Sequence, residues 1–180
     1  MLITGGGRGI GAATALLAAK QDYAVCVNYL NRSAAAEAVV NAVEHAGGRA
    51  IAVAADVAVE ADVVRLFETM DTQLGPVTAL VNNAGIVGHK TALVDMDTAR
   101  LTRIFSTNIT GSFLCAREAV RRMSTKYGGM GGTIVNVSSA ASRLGSPGEY
   151  IDYAASKGAL DTMTIGLAKE VATEGIRVNS

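Results

Sequence analysis

Leu2-Ile3-Thr4-Gly5-Gly6-Gly7-Arg8-Gly9-Ile10-Gly11 is the stretch whose reading decides the fold. Leu2-Ile3-Thr4 reads as a short β-strand, and the apolar run from Ala12 to Ala19 reads as a helix continuing through about Gln21. Glycines between a strand and a helix permit a tight turn. They also let a pyrophosphate come close to backbone N–H groups at the helix N-terminus. The strand-turn-helix context separates such a turn from a plain connector. Gly7, Gly9 and Ala12 meet the loose form of the dinucleotide-binding spacing, with Ala in the last place.

Outward from that turn, apolar runs of β character alternate with stretches of helical period. Strands are expected at Ala24 to Asn28, Ile51 to Ala54, Ala79 to Val81 and Thr133 to Val137, and Arg177-Val178-Asn179 opens a sixth. Between them Ala36, Val39, Val40 and Val43, then Val63, Val64, Phe67 and Met70, recur at helical spacing. One long helix is expected along the stripe Leu101, Ile104, Phe105, Ile109, Ala116 and Val120; a later one carries Leu160, Met163, Leu167 and Val171. This alternation predicts an α/β fold, a Rossmann-type doubly wound parallel sheet with helices on both faces, built from residues 1–180 as one domain. Its ligand crevice is expected outside the C-terminal strand ends, at the topological switch point.

Composition narrows the function classes. Hydrophobic residues make up 49% and charged residues 18%, against a usual charged share of about 25%. Net charge is 0 with no basic block, which argues against a nucleic-acid partner. No apolar run approaches the length of a membrane span. Arg8 ahead of Ala12 to Ala19 imitates a signal peptide, but no small-residue cleavage site closes the run. Cys26 and Cys115 lie far apart in apolar periodic segments and read as core thiols. His45 and His89 lack partners at metal spacing, so no metal is assigned. Together these features predict a soluble, cytoplasmic protein.

Tyr153-Ala154-Ala155-Ser156-Lys157 carries a second chemical signal. On a helix, residues four apart share a face, which places the Lys157 ammonium beside the Tyr153 phenol. A nearby cation favours the phenolate, so such a tyrosine is suited to giving and taking a proton. The pair occurs by chance in many helices and gains meaning only from its company.

Thr4-Gly5-x-x-x-Gly9-x-Gly11, Asn82-Asn83-Ala84-Gly85 and Tyr153-x-x-x-Lys157 together resemble the short-chain dehydrogenase/reductase family, in the manner of its 3-oxoacyl-carrier-protein reductase and glucose dehydrogenase members. The likeness spans the whole chain in the right order. It implies an oxidoreductase that interconverts a small-molecule carbonyl and alcohol. Ser139 in Val137-Ser138-Ser139 matches the serine that hydrogen-bonds the substrate carbonyl, with Ser138 the neighbour to exclude. Tyr153 matches the general acid/base, and Lys157 matches the residue that tunes it and holds the nicotinamide ribose. Asn108 matches the asparagine that positions a water in the proton relay; a buried structural amide is the alternative. Gly5, Gly7, Arg8, Gly9, Ile10 and Gly11 would cradle the cofactor, Asp56-Val57 would touch the adenine, and Asn83-Ala84-Gly85 would line the site. Asp56 reads equally well as a cap ahead of the third helix.

Cofactor choice follows from charge. An acidic residue ending the second strand would bind a ribose 2′-OH and repel a 2′-phosphate, but Asn28 there is neutral. Arg8 and Arg32 supply guanidinium groups that match phosphate geometry, although Arg32 could also be an ordinary solvated loop charge. NADP(H) is therefore expected ahead of NAD(H). The resemblance further implies a homo-oligomer, a tetramer or dimer, with contacts from the Phe105 and Tyr153 helices. It also implies a C-terminally truncated member, because relatives continue past a sixth strand into a substrate loop and a last strand. A nucleotide-binding or interaction module without turnover is the alternative function.

Overall fold

The computed structural model describes residues 1–180. Six strands lie parallel in the order β3-β2-β1-β4-β5-β6: β1 (Leu2–Ile3), β2 (Val25–Tyr29), β3 (Ala50–Ala54), β4 (Ala79–Asn82), β5 (Gly132–Asn136) and β6 (Ile176–Asn179). The chain winds outward from β1 to β3, returns to β4 on the other side of β1, and winds outward again. The β1/β4 boundary is therefore the switch point at which a doubly wound sheet opens its crevice.

Register explains the two cores. Leu2 pairs with Cys26 and with Leu80, and Leu80 pairs with Ile134, so these four share one face of the sheet. That face packs against α3 (Glu60–Leu74) and α5 (Gly111–Met123) through Leu66, Phe67, Met70, Cys115, Ala119 and Met123. Ile3, Val27 and Val81, one residue on, point to the other face. They meet α1 (Gly9–Ala19) and α2 (Ser33–His45) through Ala15, Ala36, Val39 and Val43. Each large side chain buried this way is worth about 1.5–3 kcal/mol, and with both faces buried it is the fit of side chains against the helices on each face that sets the register. Beyond β4 come α4 (Thr98–Phe105), the short α6 (Ala141–Leu144) after β5, and α7 (Ile151–Glu170), which packs on α5 through Ala116, Leu160 and Met163.

Boundaries differ from the sequence expectation at informative places. β2 runs to Tyr29, so Asn28 lies within the strand and not at its end. α1 stops at Ala19, with Lys20 as its C-cap. The single long helix is interrupted: Ser106–Thr110 forms a π-helical turn between α4 and α5, closed by the Gly111 N–H donating to the Ser106 carbonyl. One residue more than an α-turn fits into that segment, and a count of apolar spacing does not register it. Asn108 sits inside it. No helix is long and apolar enough to cross a membrane.

Candidate active site

The glycine turn is fastened on both sides. Asn28, only 2% exposed, accepts the Gly5 N–H on Oδ1 at 3.2 Å and donates through Nδ2 to the Ala55 carbonyl at 3.0 Å. The Thr4 hydroxyl accepts the Asn83 N–H at 3.0 Å and the Ala84 N–H at 2.9 Å. Asn83 answers with Nδ2, donating to the carbonyls of Thr4 at 2.8 Å and Gly5 at 3.0 Å. Gly5 has φ +60°, and a Cβ there would stand 3.0 Å from the Ala84 Cα, so both its conformation and its space demand glycine. The result is a rigid joint between the ends of β1, β2 and β4.

A cavity of about 230 Å³ opens over this joint. Gly5, Gly7, Arg8, Asn28, Arg32, Asp56, Val57, Ala84 and Gly85 all line it. Gly9, Ile10, Gly11 and Asn83 do not: Gly11 packs beneath the turn against Gly5 and Asn83, Asn83 spends its amide holding the turn, and Ile10 is exposed. Asn28, the neutral residue standing where an acidic one would bind a ribose 2′-OH, lines the cavity but commits its amide to the glycine turn and to the carbonyls of Val53 and Ala55 at the end of β3. Tyr29, Leu30, Asn31, Ala35, Ala55, Ile86 and Thr107 complete the lining and were not foreseen. Tyr29 to Asn31 follow directly from the longer β2, whereas nothing in the sequence marks Thr107 beside Asn108. The Asp56 carboxylate accepts the Ala58 N–H at 2.9 Å in the turn ahead of α3, but α3's own N-cap is Val59. Asp56 thus shapes that turn without capping the helix. Arg8 and Arg32 are exposed and take no part in any ion pair. No side chain caps α1 at Arg8, leaving the first-turn N–H groups without a side-chain acceptor.

Past the end of β5 lie the groups of the second signal. Lys157 is 4% exposed, its Nζ 5.6 Å from the centre of the Tyr153 ring and donating to the Val137 carbonyl at 2.7 Å. Burial pushes the Lys157 pKa down from its ordinary 10.5, against the opposing pull of Asp161. A Cβ on Gly85 would lie 3.6 Å from both Lys157 Nζ and Asn108 Oδ1, so the cavity rim and the catalytic candidates are contiguous. Ser138 leans on α7, with its Oγ 3.5 Å from the Lys157 carbonyl. Ser139 Oγ accepts the Ala141 N–H at 3.1 Å, and its own proton has no acceptor within the chain.

Asn108 is buried, with both amide protons and its side-chain oxygen engaged. Its Oδ1 accepts the Ile86 N–H at 2.8 Å, and its Nδ2 donates to the Ile86 carbonyl at 2.9 Å and to Ser156 Oγ at 3.0 Å. Ser156 Oγ in turn donates to the Tyr153 carbonyl at 2.7 Å. Ser156 lies between Tyr153 and Lys157, and a serine on a helix has no distinctive spacing by which the sequence marks this role. Deeper in the sheet, Asn82 Nδ2 donates to Asn136 Oδ1 at 2.9 Å, and Asn136 donates to Thr164 at 2.9 Å. His89 borders a second cavity beside Arg103, and His45 bonds the Asn41 carbonyl within α2.

Comparison with known proteins gives a consistent picture. The short chain dehydrogenase family model matches residues 1–180. An uncharacterized oxidoreductase of Escherichia coli (strain K12), YgfF, is 57% identical over 178 residues, covering 99% of this chain and 72% of the relative. A 3-oxoacyl-[acyl-carrier-protein] reductase of Synechocystis sp. is 40% identical over 179 residues, covering 99% of this chain and 70% of that one. Among solved structures, a dehydrogenase/reductase from Sinorhizobium meliloti superposes with TM-score 0.92 at 35% identity, covering 99% of this chain and 68% of that chain. A mutant of a Serratia marcescens short-chain dehydrogenase/reductase superposes with TM-score 0.91 at 32% identity, covering 99% and 71%.

Proposed function

The chain belongs to the short-chain dehydrogenase family, and on that premise we propose that it interconverts a carbonyl and a secondary alcohol, prefers NADP(H) to NAD(H), and uses Tyr153 as general acid and base. Family members are oxidoreductases that use NAD(P)(H) on small molecules. The observation that carries the reading is the buried Lys157 ammonium beside the Tyr153 ring at the rim of a glycine-turn cavity.

The residues present fit a dinucleotide. The uncapped α1 N-terminus and the Gly5-Gly7 turn suit a pyrophosphate, and the unpaired Arg8 and Arg32 suit an additional 2′-phosphate. The bound cofactor supplies or accepts the hydride. Ser139 directs its free proton to the substrate carbonyl oxygen. In reduction Tyr153 passes its proton to the developing alkoxide; in oxidation it takes one from the alcohol. Lys157 would stabilise the phenolate left behind and would hold the nicotinamide ribose of a bound cofactor. Asn108 spends its side chain on Ile86 and Ser156, so we assign that side chain to fixing Tyr153 and the loop after β4, which leaves the positioning of a relay water to the Asn108 backbone carbonyl.

The test is kcat/KM with NADPH and NADH over a panel of ketones, beside cofactor affinity measured by fluorescence. NADPH preference with turnover is expected. A clear preference for NADH refutes the assigned roles of Arg8 and Arg32, and binding without turnover favours a silent nucleotide-binding module. We further propose a cytoplasmic homo-oligomer, a tetramer or dimer. The exposed Phe113 and the groove between α5 and α7, lined by Val120, Met163 and Leu167, support self-association, which sedimentation checks.

A further inference from the structure

We propose that Arg100 and Asp152 form a positioning clamp that sets Tyr153 against the loop after β4, matching on the N–H side what Asn108 and Ser156 do on the carbonyl side. This rests on the carbonyl-reductase reading for its catalytic consequence. Asp152 is fully buried and Arg100 is 12% exposed; Nε donates to Oδ2 at 2.6 Å and Nη2 to Oδ1 at 3.3 Å, a forked pair. α7 begins without a side-chain cap at Tyr150, which leaves first-turn N–H groups without acceptors. Asp152 Oδ1 takes one of them, the N–H of Tyr153 itself, at 2.9 Å. The Tyr153 peptide is thus held at its N–H through Asp152 to Arg100 and at its carbonyl through Ser156 to Asn108.

The same two residues hold the loop. Asn108 bonds both backbone groups of Ile86, while Arg100 Nη1 donates to the His89 carbonyl at 2.8 Å and to Thr91 Oγ1 at 2.9 Å. Arg100 and Asn108 belong to one helical rod, α4 and its π turn. That rod therefore grips the acid/base tyrosine and the loop together, each at two points. Gly88 makes room for it: a Cβ there would come within 2.7 Å of the Arg100 guanidinium, whose position Asp152 prevents from yielding. Lys90 and the Thr91 N–H also bond Glu149, tying the loop to the segment just ahead of α7.

Arg100→Met/Asp152→Leu removes both charges and avoids stranding either one in the interior. With this variant, kcat per cofactor-binding site is expected to fall at least about tenfold, because displacements near 1 Å at reacting groups cost up to about 100-fold. NADPH affinity is expected to stay within about twofold, since neither residue lines the cofactor cavity. A folded variant with wild-type kcat overturns the proposal. If the double variant does not fold, Arg100→Lys decides: it keeps the charge and loses the fork, and wild-type turnover would then overturn the clamp. Amide hydrogen exchange at Tyr153 and Thr91 supplies a readout independent of turnover. Faster exchange in the double variant is expected and unchanged exchange refutes the clamp, even if the wild type reduces no ketone, an outcome that sinks only the carbonyl-reductase reading.

Discussion

Replacing Thr4 with valine is the sharpest probe of the joint beneath the cofactor cavity. Valine keeps the shape and the buried methyl group but removes the hydroxyl that accepts the N–H groups of Asn83 and Ala84 at 3.0 and 2.9 Å. Thr4 is 1% exposed, so no water has direct access to its side chain. Each stranded donor costs about 1–3 kcal/mol; with both donors only partly buried, the expected loss is roughly 2–4 kcal/mol. For a chain of this length that corresponds to a fall of roughly 4–16 °C in Tm. Thr4→Ser keeps the acceptor and loses one methyl group, so its cost should stay near 0.8 kcal/mol, about one buried carbon. Urea unfolding of wild type, T4V and T4S gives the stabilities, and cofactor titration gives the second readout. Loosening Ala84-Gly85 from the glycine turn should weaken dinucleotide binding in T4V and leave T4S close to wild type. If T4V loses no more than T4S, the hydroxyl is not the fastening and this account of the joint is wrong.

Tyr153→Phe should leave cofactor affinity within about twofold while lowering kcat by about 100- to 10,000-fold, the usual worth of a general acid; stopped-flow binding and steady-state rates separate the two. Burial pushes the Cys26 and Cys115 thiols up to about 12, so Ellman's reagent should label neither in the native protein and both in denaturant. Burial opposes the charge on Asp152, but the Arg100 fork and the Tyr153 N–H outweigh it and hold the carboxyl below its ordinary 3.8. Burial likewise opposes Glu118, which Arg122, Arg121 and Arg117 hold below 4.5. A depressed carboxyl stabilises the fold in full above its unfolded value and loses that contribution as pH falls through the folded one. Urea midpoints should therefore drop below about pH 4, and the gap between wild type and Asp152→Asn should be widest at neutral pH and close in acid.

Legibility tracked the range of the interactions. Strand-helix alternation, the glycine turn and the Tyr153–Lys157 spacing are local patterns, readable wherever the backbone period is regular. The errors came where regularity broke. The π turn adds a residue without altering the apolar stripe that Leu101, Ile104 and Ala116 suggest. The sequence reading ends the second strand at Asn28, but pairing of Tyr29 with Ala54 carries β2 one residue further, and Asn28 becomes a fastening for Gly5. Asn83 carried the right motif, yet its amide holds the glycine turn and lies outside the cavity lining.

Residue order by itself determined the parallel architecture, the glycine turn after the first strand and the candidate acid/base pair, because periodicity and four-residue helical spacing are properties of contiguous chain, whereas the strand order that puts the switch point between β1 and β4 is a tertiary fact. Only the tertiary structure decided which side chains support them. Arg100 meets Asp152 across 52 residues of sequence, Asn108 meets Ser156 across 48, and Thr4 meets Ala84 across 80. Partners that distant leave no periodic trace. Their pairing depends on where the sheet register and the π turn place the helices, and burial then obliges each polar group to find the partner that packing has brought within reach.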